Sequence, residues 1–369
     1  MKVGVLGGGQ LGRMLALAGY PLGHRFRFLD PSPEAGAGHL AELIVGQFDD
    51  VAALDRFADG LDVVSYEFEN VPAIAAERIA ARVPLFPPGR ALEVAQDRFV
   101  EKSEFRRLGI ATADFLAVHD RPSLDAAVAA LGLPAVLKTR RLGYDGKGQF
   151  VLRSPADVDA AWDAIGAQAA ANGVGLLLEA FVAFDRELST VAVRARDGRM
   201  AFYPLVQNEH ANGILRRTFA PAADVPESLA RRAEECARAL FESLDYVGVG
   251  AIELFQVGDT LLANEFAPRV HNSGHWTIEG AETSQFENHI RAVTGLPLGC
   301  TAPVGTSIMI NLIGSWPDPG AVLAIPHAHL HLYDKSPAPG RKVGHVTIHA
   351  ADPTAAEDSA LEVLGLVGT

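Results

Sequence analysis

The stretch Lys138-Thr139-Arg140-Arg141-Leu142-Gly143-Tyr144-Asp145-Gly146-Lys147-Gly148-Gln149 decides how the rest of the chain is read. The apolar run before it, residues 135–139, predicts a strand whose end carries Lys138, so the ammonium points into a site rather than into bulk water. Gly143 to Gly148 has no aliphatic anchor, and it offers backbone N–H groups and Lys147 to a polyphosphate over which it can close. A second strand starts at Gln149. The bland alternative is a solvated hairpin turn with incidental charge. A strand-terminal lysine five residues before such a loop argues against it.

Downstream, residues 251–257 and 261–266 read as two strands around Gly258-Asp259-Thr260. A three-residue turn sets Glu253 opposite Glu265, Phe255 opposite Ala263 and Val257 opposite Leu261. Facing carboxylates repel and are costly to bury. A hard divalent cation removes that penalty, and Mg²⁺ on phosphate oxygens, or Mn²⁺ in its place, is the candidate. Two exposed glutamates are the alternative, which the apolar Phe255, Val257 and Leu261 disfavour. Pro268 ends the strand and leaves Arg269, His271 and Asn272 on a loop, a set suited to a carboxylate or phosphate. Tyr333-Asp334-Lys335 and Gly340-Arg341-Lys342 add further basic positions near the C-terminus.

Upstream, Gly7-Gly8-Gly9-Gln10-Leu11-Gly12 lies between a strand at 2–6 and a helix at 11–18, with further strands at 25–29 and 62–68. This βαβ pattern predicts a parallel sheet. The glycines fit G-x-G-x-x-G, and Asp30 stands where a dinucleotide site would hold a ribose. The motif indicates a phosphate without saying which. Glu67 and Glu69 fall at the end of a parallel strand, where α/β crevices open, and one of them is a candidate base. Asp97 is the expected N-cap of a helix at 98–108, with Gly109 at its C-terminal end. Further elements are expected as a helix at 156–168, strands at 175–180, 187–195 and 200–206, a helix at 227–244 and strands at 307–312 and 329–333. His327, His329 and His331 alternate along the last of these, without a carboxylate or thiol nearby to complete a zinc set.

The chain has 369 residues, 49% hydrophobic and 21% charged, which fits two or three domains with substantial cores. Its net charge of −13 offers no footprint for nucleic acid or anionic lipid. Two cysteines, Cys236 and Cys300, exclude a disulfide framework. No secretory signal or membrane-length apolar run is read, so a cytoplasmic location is expected.

Taken together, these strings resemble the N5-carboxyaminoimidazole ribonucleotide synthetase family of ATP-grasp ligases. The resemblance rests on Gly-Gly-Gly-Gln-Leu-Gly-Arg-Met-Leu at 7–15, Gly-Tyr-Asp-Gly-Lys-Gly-Gln at 143–149 and Tyr-Pro-Leu-Val-Gln-Asn at 203–208. Asn-Glu-Phe-Ala-Pro-Arg-Val-His-Asn-Ser-Gly-His-Trp-Thr at 264–277, Tyr-Asp-Lys at 333–335 and Gly-Arg-Lys-Val-Gly-His at 340–345 complete it. It implies an α/β chain with an ATP-grasp fold: an N-terminal Rossmann-like domain (1–100), a lid lobe (101–180), a catalytic lobe (181–295) and a small C-terminal domain (296–369).

The resemblance also implies roles. Arg98, Lys138, Gly143, Tyr144, Asp145, Gly146, Lys147, Gly148, Gln149, Glu179, Ala180, Phe181, Val182, Glu187, His210, Asn264 and Glu265 would surround ATP. Glu253 and Glu265 would hold the metal. Gly8, Gly9, Gln10 and Leu11, with Glu67, Asn272, Lys335 and Arg341, would bind 5-aminoimidazole ribonucleotide, the first four and the last two at its phosphate. Tyr144, Asp145, Arg269, His271 and Asn272 would line a carboxyphosphate pocket, and Asp145 or Glu67 would take the amine proton. Bicarbonate is the implied co-substrate and a homodimer the implied assembly.

Rival readings are a neighbouring ATP-grasp ligase, such as formate-dependent glycinamide ribonucleotide transformylase or biotin carboxylase, and an NAD-dependent oxidoreductase resting on the N-terminal glycines alone. A catalytically dead nucleotide-binding regulator is a third, disfavoured by the complete set of Lys138, Glu253 and Glu265.

Overall fold

Residues 1–143 and 148–367 are described by the structure, a computed structural model. Four strands near the N-terminus, β1 (Lys2–Leu6), β2 (Arg25–Asp30), β3 (Glu42–Val45) and β4 (Val63–Tyr66), form a parallel sheet in the order β3-β2-β1-β4. β1 is buried from Val3 to Leu6 and β4 throughout, as strands covered on both faces must be. The sequence reading missed β3. Glu-Leu-Ile-Val is a four-residue edge strand, too short to show a period. The helix Gln10–Gly19 turns Leu11, Met14 and Leu15 inward, which places the glycine loop and Glu67 together at the carboxyl end of the sheet.

A second, antiparallel sheet of β5 (Phe115–Val118), β6 (Ala135–Thr139), β7 (Gln149–Leu152) and β8 (Leu176–Ala180) runs β5-β8-β6-β7. The helix expected at 156–168 is not uniform. A π-helical turn at Trp162–Gly166 separates α-helical Asp157–Ala161 from Ala167–Ala171. Gly166 lies directly under the Trp162 ring, where a Cβ would stand 2.4 Å from a ring carbon.

The third sheet contains β9 (Arg186–Arg194), β10 (Met200–Phe202), β11 (Val206–Ala211), β12 (Ile214–Ala220), β13 (Gly248–Val257), β14 (Thr260–Ala267), β15 (Thr306–Ile313), β16 (Ala328–Leu332) and β17 (Lys342–Ala350). It runs β14-β13-β9-β11-β12-β15-β17-β16, with β10 against the end of β9. The single strand expected at 200–206 is thus two, divided at Pro204, whose ring nitrogen cannot donate to a ladder. β11 and β12 form a hairpin on Asn212-Gly213, both at positive φ (54° and 74°). Asn-Gly is a strong hairpin signal, and it stood unused in the sequence. β12 pairs with β15 through Arg217 and Ile310, so the C-terminal strands extend the sheet that carries the carboxylate hairpin.

The helix Glu227–Ser243 buries Leu229, Ala233, Cys236, Ala237, Leu240 and Phe241. Phe241 packs on Tyr246 and edge-on to Phe266, at centroid distances of 4.3 and 6.0 Å. Each such aromatic removed from water contributes about 1.5–3 kcal/mol. The back of the catalytic hairpin is therefore fixed to a packed core.

Candidate active site

β13 and β14 put Glu253 and Glu265 face to face, by a route that differs from the expected one. The turn has two residues, Gly258 and Asp259, which pairs Val257 with Thr260 and Leu254 with Ala263. The expected pairs Phe255–Ala263 and Val257–Leu261 are therefore wrong by one residue. A β-bulge at Asn264 then adds the missing residue and restores Glu253 to Glu265.

Burial, then the neighbouring Glu265 carboxylate, push Glu253 up to about 8. For Glu265 burial acts in the same upward sense, but the charges of Arg98 and Lys138 outweigh it and lower the group. Arg98 Nη1 lies 3.2 Å from Glu265 Oε2, and its Nη2 donates to the Gly143 carbonyl. Asn264 Oδ1 is buried without a hydrogen-bond partner among the described residues. Two carboxylates that destabilise each other, beside an unused amide oxygen, fit a small hard cation that keeps most of its ligands for water and phosphate.

Asp97 positions Arg98 by capping its helix, accepting from the N–H groups of Phe99 and Val100, as expected. The same carboxylate holds Arg140 and Arg141. Lys138 is buried, with Nζ donating to Glu179 Oε2 at 2.6 Å. Burial lowers Lys138, and Glu179 opposes that. For Glu179 burial pulls upward, yet Lys138 and Lys102 bring it down to about 2.

This depression from an ordinary 4.5 stabilises the fold fully above about pH 4.5 and is lost as the pH falls towards 2, about 3 kcal/mol in all. Glu179→Gln should therefore lose stability less steeply on acidification, as read from denaturant midpoints. An acid limb as steep as that of the parent would remove Glu179 from the account. Ala180, Phe181 and Val182 follow along the cleft. Beside them, Phe184 stacks on Phe255 at 4.7 Å, a flat apolar shelf. Glu187 faces His210 Nδ1 across β9 and β11. Burial lowers His210, but the Glu187 carboxylate wins and raises it.

The glycine loop differs from the expected phosphate cradle. Gly8 N–H donates to Asp30 at 2.8 Å, and Gly9 and Gly12 donate to the two oxygens of Glu67 at 2.7 and 2.8 Å. The amides of Gly8 and Gly9 are thus already satisfied, and Asp30 braces the loop where a dinucleotide reading would have it hold a ribose. Gln10 and Leu11 keep first-turn N–H groups that a helix cannot bond internally, and both line the cleft. Burial raises Glu67, against the two amide hydrogen bonds. Gly7 has φ +99°, and a Cβ there would stand 2.5 Å from Glu67 Cγ. Gly7→Ala should cost about 1–3 kcal/mol and lower Tm. An unchanged Tm would show that the seat of Glu67 is adaptable.

Arg269 pairs with Glu69, and its Nη1 donates to the Val270 carbonyl. His271 Nε2 is 3.4 Å from Glu253, and its Nδ1 faces Ser273 Oγ at 2.8 Å. Burial first, then Arg269, hold His271 well below its usual range, so the positive charge here belongs to Arg269. Asn272 forms a reciprocal amide pair with Asn311, at 3.0 and 2.7 Å. Sequence reasoning missed Asn311, because strand spacing on β15 does not reveal a partner 39 residues away.

One cleft of about 1260 Å³ brings these groups together. Its wall includes Gly9, Gln10, Leu11, Glu67, Arg98, Lys138, Gly143, Gln149, Glu179 to Val182, Glu187, His210, Glu253, Asn264, Glu265, Arg269, His271, Asn272, Lys335 and Arg341. Gly8 and Gly148 stand off the wall, the latter with its carbonyl accepting from Thr139 N–H. Tyr144, Asp145, Gly146 and Lys147 lie outside the described residues. Of the three histidines at 327–331, His331 turns inward to Glu279 at 2.7 Å and stacks on His345.

A lysine-and-arginine-lined cleft between a small antiparallel lid sheet and a larger sheet bearing two facing carboxylates is the arrangement of an ATP-grasp ligase. The ATP-grasp domain model matches residues 103–286, flanked by the ribonucleotide synthetase preATP-grasp domain over 1–96 and the phosphoribosylaminoimidazole carboxylase C-terminal domain over 307–359. Within that class, the chain belongs to the N5-carboxyaminoimidazole ribonucleotide synthase family. A relative of that name from Pseudomonas aeruginosa is 53% identical, covering 100% of this chain and 99% of the relative. The synthetase structure from Thermus thermophilus matches with a TM-score of 0.94 at 57% identity, covering 100% of this chain and 99% of that one. The Aspergillus clavatus enzyme in complex with ADP and 5-aminoimidazole ribonucleotide matches at 0.91 and 32% identity, with the same coverage. These matches favour the synthetase reading over the formyltransferase, biotin carboxylase and oxidoreductase alternatives. No helix among the described residues is long and apolar enough to cross a membrane.

Proposed function

We propose that this chain carboxylates 5-aminoimidazole ribonucleotide with bicarbonate and ATP, giving N5-carboxyaminoimidazole ribonucleotide, ADP and phosphate. The observation that supports it most is the continuity of the cleft. Lys138, Arg98 and the carboxylate pair line the same cleft as Gln10, Leu11, Lys335 and Arg341. Arg269, His271 and Asn272 line it too, with His271 Nε2 3.4 Å from Glu253, so a small anion formed at the carboxylate pair would meet them.

Bicarbonate is a weak nucleophile and the γ-phosphate is shielded by negative charge, so the protein's task is positioning and neutralisation. Lys138 and Arg98 supply fixed positive charge on the polyphosphate side. Glu253 and Glu265 would hold Mg²⁺, which supplies charge neutralisation on phosphate oxygens when bound. Bicarbonate oxygen attacks the γ-phosphorus, ADP leaves, and carboxyphosphate results. Arg269, which lines the cleft, supplies positive charge to its carboxylate and phosphate oxygens. The exocyclic amine of the ribonucleotide then attacks the carboxyl carbon, or the CO₂ released from it, with loss of phosphate and a proton. Asp145 is the favoured proton acceptor, because both Glu67 oxygens are engaged by backbone amides. Gln10, Leu11, Lys335 and Arg341 take the ribonucleotide phosphate in this reading.

ADP release from Mg-ATP and bicarbonate, with and without 5-aminoimidazole ribonucleotide, tests it. Formation that depends on both substrates is expected. Formation indifferent to the ribonucleotide would keep the ATP site and overturn the substrate assignment. The reading also includes a cytoplasmic homodimer, which light scattering at working concentration would check for assembly.

A further inference from the structure

Lys102 takes no part in the scheme above, yet among the described residues it is the most deeply buried cation beside the cleft, at 1% exposure. Its Nζ donates to Thr112 Oγ1 at 3.2 Å and to the backbone carbonyl of Asn264 at 3.1 Å, and forms an ion pair with Glu179 Oε1 at 3.0 Å. These acceptors belong to different parts of the molecule. Glu179 is on β8 of the lid sheet, Asn264 is the bulge residue before Glu265, and Thr112 lies in the segment that runs alongside β14 at Ala263. An ammonium is a compact charge with three donors and no geometric fork, which suits one position shared by three acceptors. Burying such an ion is costly, and the three acceptors together offset its desolvation, whereas removing one partner leaves the others uncompensated.

The other oxygen of Glu179 is held by Lys138, which lines the cleft and is the cation placed to meet a polyphosphate. When Lys138 turns to a phosphate, Glu179 loses one of its two partners. We propose that Lys102 is a positioning residue for the ATP half-reaction: it anchors Glu179 while Lys138 exchanges that carboxylate for phosphate, and it fixes the Asn264 carbonyl so that the bulge directs Glu265 into the cleft. The inference rests on the ATP-site reading and deepens it.

Calorimetric titration of the full chain with Mg-ADP tests it, alongside steady-state kinetics. Lys102→Met should bind Mg-ADP at least about tenfold more weakly and need more Mg²⁺ for half-maximal turnover, with the KM for the ribonucleotide little changed. A loss of folding would move both substrates together. In a Glu179→Gln background the same substitution should weaken Mg-ADP binding less than it does in the parent, since the shared Glu179 partner is gone and only the Asn264 contact is left to lose. That double variant leaves no broken Lys102–Glu179 ion pair, so it keeps the question answerable if Lys102→Met alone does not fold. Parent-like Mg-ADP binding by folded Lys102→Met, or effects that multiply fully in the double variant, would overturn the inference. Failure of the parent chain to bind Mg-ADP would instead overturn the ATP-site reading.

Discussion

Glu265→Gln is expected to reduce ADP formation at least about a hundredfold while leaving the chain folded. The substitution keeps the shape of the side chain and removes one charge. It takes away half of the carboxylate pair that would hold the cation, and it leaves Arg98 without its partner at 3.2 Å. It also relieves Glu253 of the repulsion that helps push that group up to about 8, which offsets part of what the lost Arg98 pairing costs, so the change in Tm should be small. Loss of turnover with retained Tm separates the chemical role from a structural one. Turnover within twofold of the parent would remove Glu265 from the reaction.

Arg341→Ala should act on the ribonucleotide rather than on ATP. Its guanidinium donates to the Ser336 carbonyl, which shapes the loop between β16 and β17, and it reaches the cleft wall with Lys335. A charge-assisted contact to phosphate contributes about 1.5–3 kcal/mol, so the KM for the ribonucleotide should rise about tenfold or more. The KM for ATP and the turnover at saturation should move little, because a phosphate remote from the reacting amine is bound equally before and during the reaction. An unchanged ribonucleotide KM would detach this loop from phosphate binding.

Much of the chemistry was legible along the chain because it is local. Lys138 at a strand end, the glycines after it and the strand resuming at Gln149 need only the alternation of a hairpin, and β6 and β7 pair Lys138 with Gln149. The Asp97 cap is a matter of adjacent residues. The facing of Glu253 and Glu265 was anticipated from spacing, although the register near the turn was wrong and the Asn264 bulge supplied the offset. A bulge leaves little mark in a run such as Leu-Ala-Asn-Glu-Phe: Asn264 suits a strand poorly, but that does not distinguish a bulge from a strand end.

What the sequence by itself determined is the elements that carry the site, β1, β4, β6, β7, β13 and β14, and their charged groups, since periodicity, caps and turns act over a few residues. Tertiary structure alone decided which of those groups are available. Glu67 fills the glycine loop from 58 residues away, so amides that read as a phosphate cradle are already satisfied. Arg98 reaches Glu265 across 167 positions, and Asn272 is locked by Asn311. Lys102 is one more exposed-looking lysine on a polar helix until the fold closes Thr112, Glu179 and Asn264 around it. Such contacts join elements through space, where neither spacing nor composition carries a signal, and burial then makes each of them strong.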